Sequence, residues 1–158
     1  MDRASTRHRA GLTLYLLDTN IVSMLDPRRR EHAPGLIEWL QRNGASLFLS
    51  VLTIAEIDTG VLKLRRDGKL KRADEIAGLV NAIVADFGDR LLTIDLETAR
   101  HVARLSAATY RQPVALPDLI IAATAARHGL IVLTRNMRQF GRLHVAAHDP
   151  FAELPPDA

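Results

Sequence analysis

The stretch PDLIIAATAARHGLIVLTRN, residues 117–136, decides the fold. Pro117 suits the first turn of a helix, where its missing N–H costs nothing, and Gly129 suits the stop. Between them Asp118–His128 reads as helix, apolar nearly all round through Leu119, Ile120, Ile121, Ala122 and Ala123. A helix of that composition is buried on every side. Leu130–Thr134 follows directly and reads as a buried strand. A buried helix feeding a buried strand is the unit of a parallel sheet covered on both faces.

The same alternation runs outward from there. Leu12–Leu17 and Leu47–Ser50 read as strands. Between them lie a short helix from Asp18 to Asp26, an exposed basic loop at Pro27–Arg30, and a helix Gly35–Arg42 entered at Pro34 and closed by Asn43-Gly44. In Val51–Arg66 the apolar Ile54, Ile57, Val61 and Leu64 recur at helical spacing. Asp67-Gly68 breaks that helix and Lys69–Phe87 resumes it. Gly88-Asp89 turns into a strand Arg90–Ile94, and Asp95 caps a helix running to Tyr110. Met137–Phe140 reads as one helical turn, His144–Ala147 as a last edge strand, and Pro150–Ala158 as a fraying tail. The expected class is α/β, a three-layer α/β/α sandwich with a mostly parallel central sheet. At 158 residues the chain is one domain. Residues 12–150 carry it, between a flexible extension at 1–11 and a tail at 151–158.

Composition narrows the function classes. A 47% hydrophobic content excludes general disorder. No apolar run approaches the ~18 residues of a membrane span, and the Arg-bearing start leads into an apolar stretch too short for a leader. The expectation is a cytoplasmic protein with no membrane partner. With no cysteine, disulfides, thiolate zinc sites and Cys nucleophiles are excluded. Of the 21 basic residues 18 are arginine, which suits phosphate recognition and equally reflects a genome's composition. Neither a P-loop nor a dinucleotide GxGxxG is present.

Topology gathers several polar residues at one edge. Ligands of an open parallel sheet collect at the carboxyl ends of its strands. Asp18 follows the first strand, Glu56 lies in the second turn of the helix leaving the second, and Asn136 stands two residues beyond Thr134. The helix bearing Asp118 runs antiparallel to the strand after it, so Asp118 reaches the same rim. Each alone has a plain reading: Asp18 as a cap, Glu56 as a solvated residue on a polar face with Thr53 and Lys63, Asp118 as a complement to the helix dipole. Together they do not. Two carboxylates ~5 Å apart repel by about 3 kcal/mol at an effective dielectric of 20, and three cost on the order of 10 kcal/mol. A proton or a cation must compensate. Oxygen ligands without cysteine favour Mg²⁺, with Mn²⁺ as the alternative.

At these positions the sequence resembles the PIN-domain nucleases. Leu16-Leu17-Asp18-Thr19-Asn20 is similar to their opening motif, and Ser50–Glu56 with Gly60 to the second. Pro117–Ala125 resembles the third, and Leu133-Thr134-Arg135-Asn136 through Phe140 the fourth. Four motifs in order are specific, and the nearest subgroup is the VapC-type toxins of toxin–antitoxin pairs. The resemblance implies a PIN-like fold and Mg²⁺-dependent cleavage of RNA to 5′-phosphate and 3′-hydroxyl ends. It also implies a homodimer and a cognate antitoxin that blocks the site. Its acids carry over onto Asp18, Glu56 and Asp118 as metal and catalytic residues; the fourth acidic position holds Asn136, which removes a charge that a second metal would need. Thr19, Asn20, Thr53, Thr134 and Arg135 are expected to steady the carboxylates or touch phosphate.

Lys63, Arg65, Arg66, Lys69, Lys71 and Arg72 surround the Asp67-Gly68 turn and would track an RNA backbone, or simply form a solvated helical hairpin. His144 and His148 read as a strand-borne solvated pair, not metal ligands. Two other functions compete. A catalytically weak module binding antitoxin or nucleic acid is favoured by Asn136. A receiver-like phosphoacceptor lacks its adjacent acids and its late lysine here.

Overall fold

The computed structural model describes residues 12–157, so the N-terminal extension lies outside the described residues. Its elements in chain order are β1 (Tyr15–Leu17), α1 (Thr19–Val22), α2 (Pro27–Arg30), α3 (Pro34–Arg42), β2 (Leu47–Ser50), α4 (Val51–Arg66), α5 (Leu70–Phe87), β3 (Leu91–Leu92), α6 (Leu96–Ala108), α7 (Leu116–His128), β4 (Ile131–Leu133), α8 (Met137–Arg142) and β5 (Ala147–His148). The strands form one sheet in the order β3-β2-β1-β4-β5, and every pairing is parallel. The chain builds outward from β1 to β3, then returns to the far side of β1 for β4 and β5. The direction therefore reverses between β1 and β4, and the crevice beyond their carboxyl ends is where such sheets receive ligands.

Period-two alternation divides the strands between two cores. Tyr15, Leu17, Leu49 and Leu133 join Ile21, Trp39 and Leu40 on one face. Tyr15 meets Trp39 edge-on, with centroids 5.4 Å apart at 78°. Leu16 and Val132 join Leu119, Ile121, Ala122 and Phe140 on the other. The α/β/α expectation thus holds, with a sheet that is wholly parallel. Gly129 ends α7 in the left-handed conformation at φ 65°, as a helix stop requires.

Several local expectations are corrected. Strands are shorter than their apolar runs: β1 begins at Tyr15, not Leu12, and β3 holds only Leu91 and Leu92 of the expected Arg90–Ile94. A strand lasts only as long as it has a partner. The final strand is Ala147–His148, not His144–Ala147, because α8 extends to Arg142 and His144 turns at φ 52°. The loop at Pro27–Arg30 is a helical turn, with Pro27 at its start and the Asp26 side chain accepting from Arg28 N. The tail does not fray within the described residues: Pro155 is buried, and Asp157 accepts from Asn43 Nδ2 at 2.9 Å.

Asp26 also fastens α5 to this layer. It is 4% exposed, and the Arg72 guanidinium binds both its oxygens. Burial pushes the Asp26 carboxyl up, but the Arg72 bond, the Arg28 N–H and the charges of Arg72 and Arg29 outweigh it and bring its pKa below 3.8. A depressed carboxyl stabilises the fold above its unfolded pKa, and that stability is lost as pH falls through the folded value. Asp26→Ala should cost about 2–4 kcal/mol in urea denaturation at neutral pH, since it strands a half-buried guanidinium and removes a cap. The deficit relative to wild type should shrink as pH falls through the depressed folded-state pKa of Asp26, below 3.8. An unchanged midpoint at pH 7 would show that the pair does not hold α5.

Candidate active site

Asp18 stands at the switch point. Its N–H donates to Leu133 O at 3.0 Å, extending the β1–β4 ladder by one residue, and its side chain is buried. Oδ1 accepts from Thr19 N at 2.7 Å, the cap that begins α1. Oδ2 accepts from Thr134 Oγ1 at 2.7 Å and from Asn20 Nδ2 at 3.0 Å. Capping and site-building are therefore one arrangement, not alternatives. Three of about four lone-pair positions are taken by the protein, which fixes the carboxylate and leaves room for one more ligand. Thr134, buried beyond β4, accepts in turn from Asn136 N at 2.9 Å.

Glu56 reaches the same place from α4. Thr19 Oγ1 donates to its Oε2, with Thr53 Oγ1 3.5 Å from the Thr19 hydroxyl. Thr53 is buried beneath it, which corrects its placement on a solvated face. Asp118 comes from the first turn of α7, where Asn136 Nδ2 donates to its Oδ2 at 3.2 Å. Burial raises the Asp118 carboxyl above 3.8, and the charges of Asp18 and Glu56 raise it further. Asp118 thus lies within electrostatic reach of both other acids.

The acids and Asn136 surround a cavity of about 400 Å³, floored by Ile121 and edged by Pro117. The ion pairs among the described residues involve Asp26, Asp67, Asp74, Glu75, Asp86, Asp95, Glu97 and Asp157, but not Asp18, Glu56 or Asp118. The cup is thus a local excess of negative charge with no bound base to offset it. Among the described residues no three His, Cys, Asp or Glu side chains are gathered closely enough to form a metal-holding group.

The other expected residues divide. Thr19, Asn20, Thr53 and Thr134 join the hydrogen-bond network. Arg135 contributes its backbone N–H to Asn20 Oδ1 at 3.3 Å, while its guanidinium lies 4.5 Å from the centre of the Phe151 ring. Half of the basic hairpin is tied up within the fold. Arg72 serves Asp26, Arg65 meets Asp74 at 2.9 Å, and Arg66 lies 3.8 Å from Asp67; Lys63, Lys69 and Lys71 carry no ion pair among the described residues. Ser23 and Arg29 line the cup without having been anticipated. The Asp26-Pro27 dipeptide, a cap followed by an N1 proline, was the local signal that Arg29 sits on a fixed helical turn. His144 and His148 do not converge: His148 Nε2 bonds Glu153 O at 2.6 Å, while His144 is exposed.

A parallel α/β/α domain with an acidic cup at its switch point is the class these features define. The PIN domain model matches residues 15–144, and the chain belongs to the PIN-domain family, in its VapC-type branch. Toxin FitB of Neisseria gonorrhoeae is 33% identical over 87% of this chain and 99% of its own. The crystal structure of FitAcB from that organism superposes with a TM-score of 0.73 at 29% identity, covering 87% of this chain and 99% of that one. VapC ribonuclease Y4jK of Sinorhizobium fredii is 31% identical over 80% of this chain and 90% of its own. A toxin–antitoxin complex from Klebsiella pneumoniae matches at TM-score 0.56 and 26% identity, covering 86% of this chain and 94% of that one.

Because ionised Asp118 is disfavoured where it stands, Asp118→Asn should raise the melting temperature of protein kept in EDTA at pH 7, by a few degrees at most. The lost dipole complement at the α7 N-terminus works in the opposite sense and limits the gain. A lower melting temperature would mean that the acids do not crowd one another.

Proposed function

We propose that the protein is a Mg²⁺-dependent endoribonuclease, the toxin of a toxin–antitoxin pair. The observation that carries this reading is the unpaired trio Asp18, Glu56 and Asp118 around one cavity. Asp18 and Asp118 would hold the ion, Mg²⁺ or Mn²⁺, with Glu56 ligating it or orienting the attacking water. When bound, the cation would supply positive charge against the scissile phosphate and make nearby water more acidic. The chain's own residues do the positioning. Thr134 and Asn20 lock the Asp18 rotamer, and Asn136 holds Asp118. Thr19 holds Glu56 by donating to its Oε2.

The partners follow from the same reading. A toxin needs a neutralising protein in the cell that makes it, FitB is named a toxin, and the Klebsiella relative was solved as a toxin–antitoxin complex. The homodimer is the assembly that the family resemblance implies. Exposed Leu96, Tyr110 and Leu116, at 65, 68 and 59%, offer apolar surface that a second chain could cover. Asn136 favours a second reading, a catalytically weak module that binds antitoxin or nucleic acid, because it gives Asp118 a hydrogen bond where a fourth acid would give the ion a charge.

Incubation of pure protein with total cellular RNA, with Mg²⁺ or EDTA, separates the two readings once new 5′ ends are mapped. Discrete cleavage that EDTA stops and added Mg²⁺ or Mn²⁺ restores is expected; intact RNA in every arm favours the binding module. Asp118→Asn should lower kcat at least ~10²-fold, the scale of losing one preorganised electrostatic group, while the protein stays folded. Thr134→Val should weaken ion affinity ~10–100-fold, as for residues that orient a metal ligand. Full activity of Asp118→Asn would refute the assignment.

A further inference from the structure

Three consecutive arginines on α2 have different fates. Arg28 pairs with Glu75 at 2.8 Å. Arg30 Nε donates to Leu25 O at 2.8 Å. Arg29 has no ion pair among the described residues. Its side-chain bond is from Nη1 to Ser23 Oγ at 3.2 Å, and the Ser23 hydroxyl in turn donates a hydrogen bond to Asn20 O at 2.9 Å. Asn20 is the residue whose amide holds Asp18. Arg29 is therefore oriented by the residues that fix the acid, with most of its five donors unspent.

Arg29 and Ser23 line two cavities at once. One is the acidic cup. The other is a neighbouring trough of about 520 Å³, with Ile57 and Leu64 on its wall and Lys63 and Lys69 on its rim. Like Arg29, both lysines lack an ion pair among the described residues and are exposed. A polyanion whose scissile phosphate sits against three carboxylates needs a cation beside the cup to keep it there. Arg29 is the guanidinium in the cup's own wall, and its planar fork matches a phosphate's two oxygens.

We propose that Arg29 is a substrate-positioning residue, whose guanidinium binds the RNA phosphate next to the scissile one and directs the strand into the trough bearing Lys63 and Lys69. The inference rests on the ribonuclease reading above. Its test compares wild type, Arg29→Ala, Arg29→Lys and Arg28→Ala on a fluorogenic single-stranded RNA in Mg²⁺ over a range of monovalent salt. Arg29→Ala should raise KM about tenfold, leave kcat within about twofold, and reduce the log–log salt slope of kcat/KM by about 0.7, one phosphate contact on a single strand. Arg29→Lys should recover the slope but not the full KM. Arg28→Ala removes the same charge one residue away and should behave as wild type.

Wild-type KM and slope in Arg29→Ala would overturn the proposal. So would a loss of kcat at unchanged slope, which would make Arg29 a prop for Ser23 and Asn20. RNA binding to Asp118→Asn with and without Arg29→Ala gives the same slope difference independently of turnover. A wild-type protein that cleaves no RNA under any condition would instead fell the ribonuclease reading itself.

Discussion

Asp118 bears the like charges of Asp18 and Glu56 across a shared cavity, and among the described residues nothing basic is ion-paired to the three. The contrast with Asp26 shows how unusual that is within this one molecule. Asp26 is as buried as Asp18, yet it has a guanidinium on both oxygens and a depressed pKa. Asp118 has a carboxamide for company and a raised pKa. The same residue type is stabilised in one place and left in deficit in another. Among the described residues no lysine, arginine or histidine forms an ion pair with these acids. The stability lost there is offset by the two cores on either side of the sheet.

The scaffold holds this arrangement because each acid is anchored to a different rigid part. Asp18 continues a central strand, Glu56 rides on a sixteen-residue helix, and Asp118 begins a helix with six buried residues. None can drift away from the others without disturbing a core. Thr134 is the crosspiece, donating to Asp18 from the far side of the reversal and accepting from the backbone of Asn136. Because both flanking strands end there, a ligand at the cup meets backbone already committed to the sheet and side chains already committed to rotamers.

What could be read from the sequence was whatever depends on short-range order plus topology. Asp18 and Thr134 were placed because a polar residue that ends an apolar run in a parallel sheet must sit at its carboxyl edge. Asp118 was placed because the helix before a parallel strand runs against it. What could not be read depends on a distant partner. Leu12 and Leu14 are apolar, but the paired residues of β1 begin only at Tyr15, where Leu47 and Ile131 lie alongside. Asp157 holds the tail through Asn43, 114 residues away. Thr53 reads as polar surface on a helical wheel, yet it is fully buried, with the Thr19 hydroxyl of α1 3.5 Å from its own.

The basic residues show the same limit in its most consequential form. Six bases around one turn suggest a nucleic-acid track, but composition counts charge without saying whether it is free. Arg72 is bound to an acid 46 residues earlier, and Arg65 to Asp74 across the hairpin. Those guanidiniums maintain helix packing and have little left to offer a polyanion. Among the described residues, the charge outside any ion pair lies partly on the same turn, at Lys63 and Lys69, and partly on Arg29, which lines both the cup and the trough beside it. A modest net charge of +3 therefore conceals a sharper pattern. Three acids outside any ion pair among the described residues line the cavity, and one guanidinium outside any ion pair, that of Arg29, lines it with them and continues into the trough.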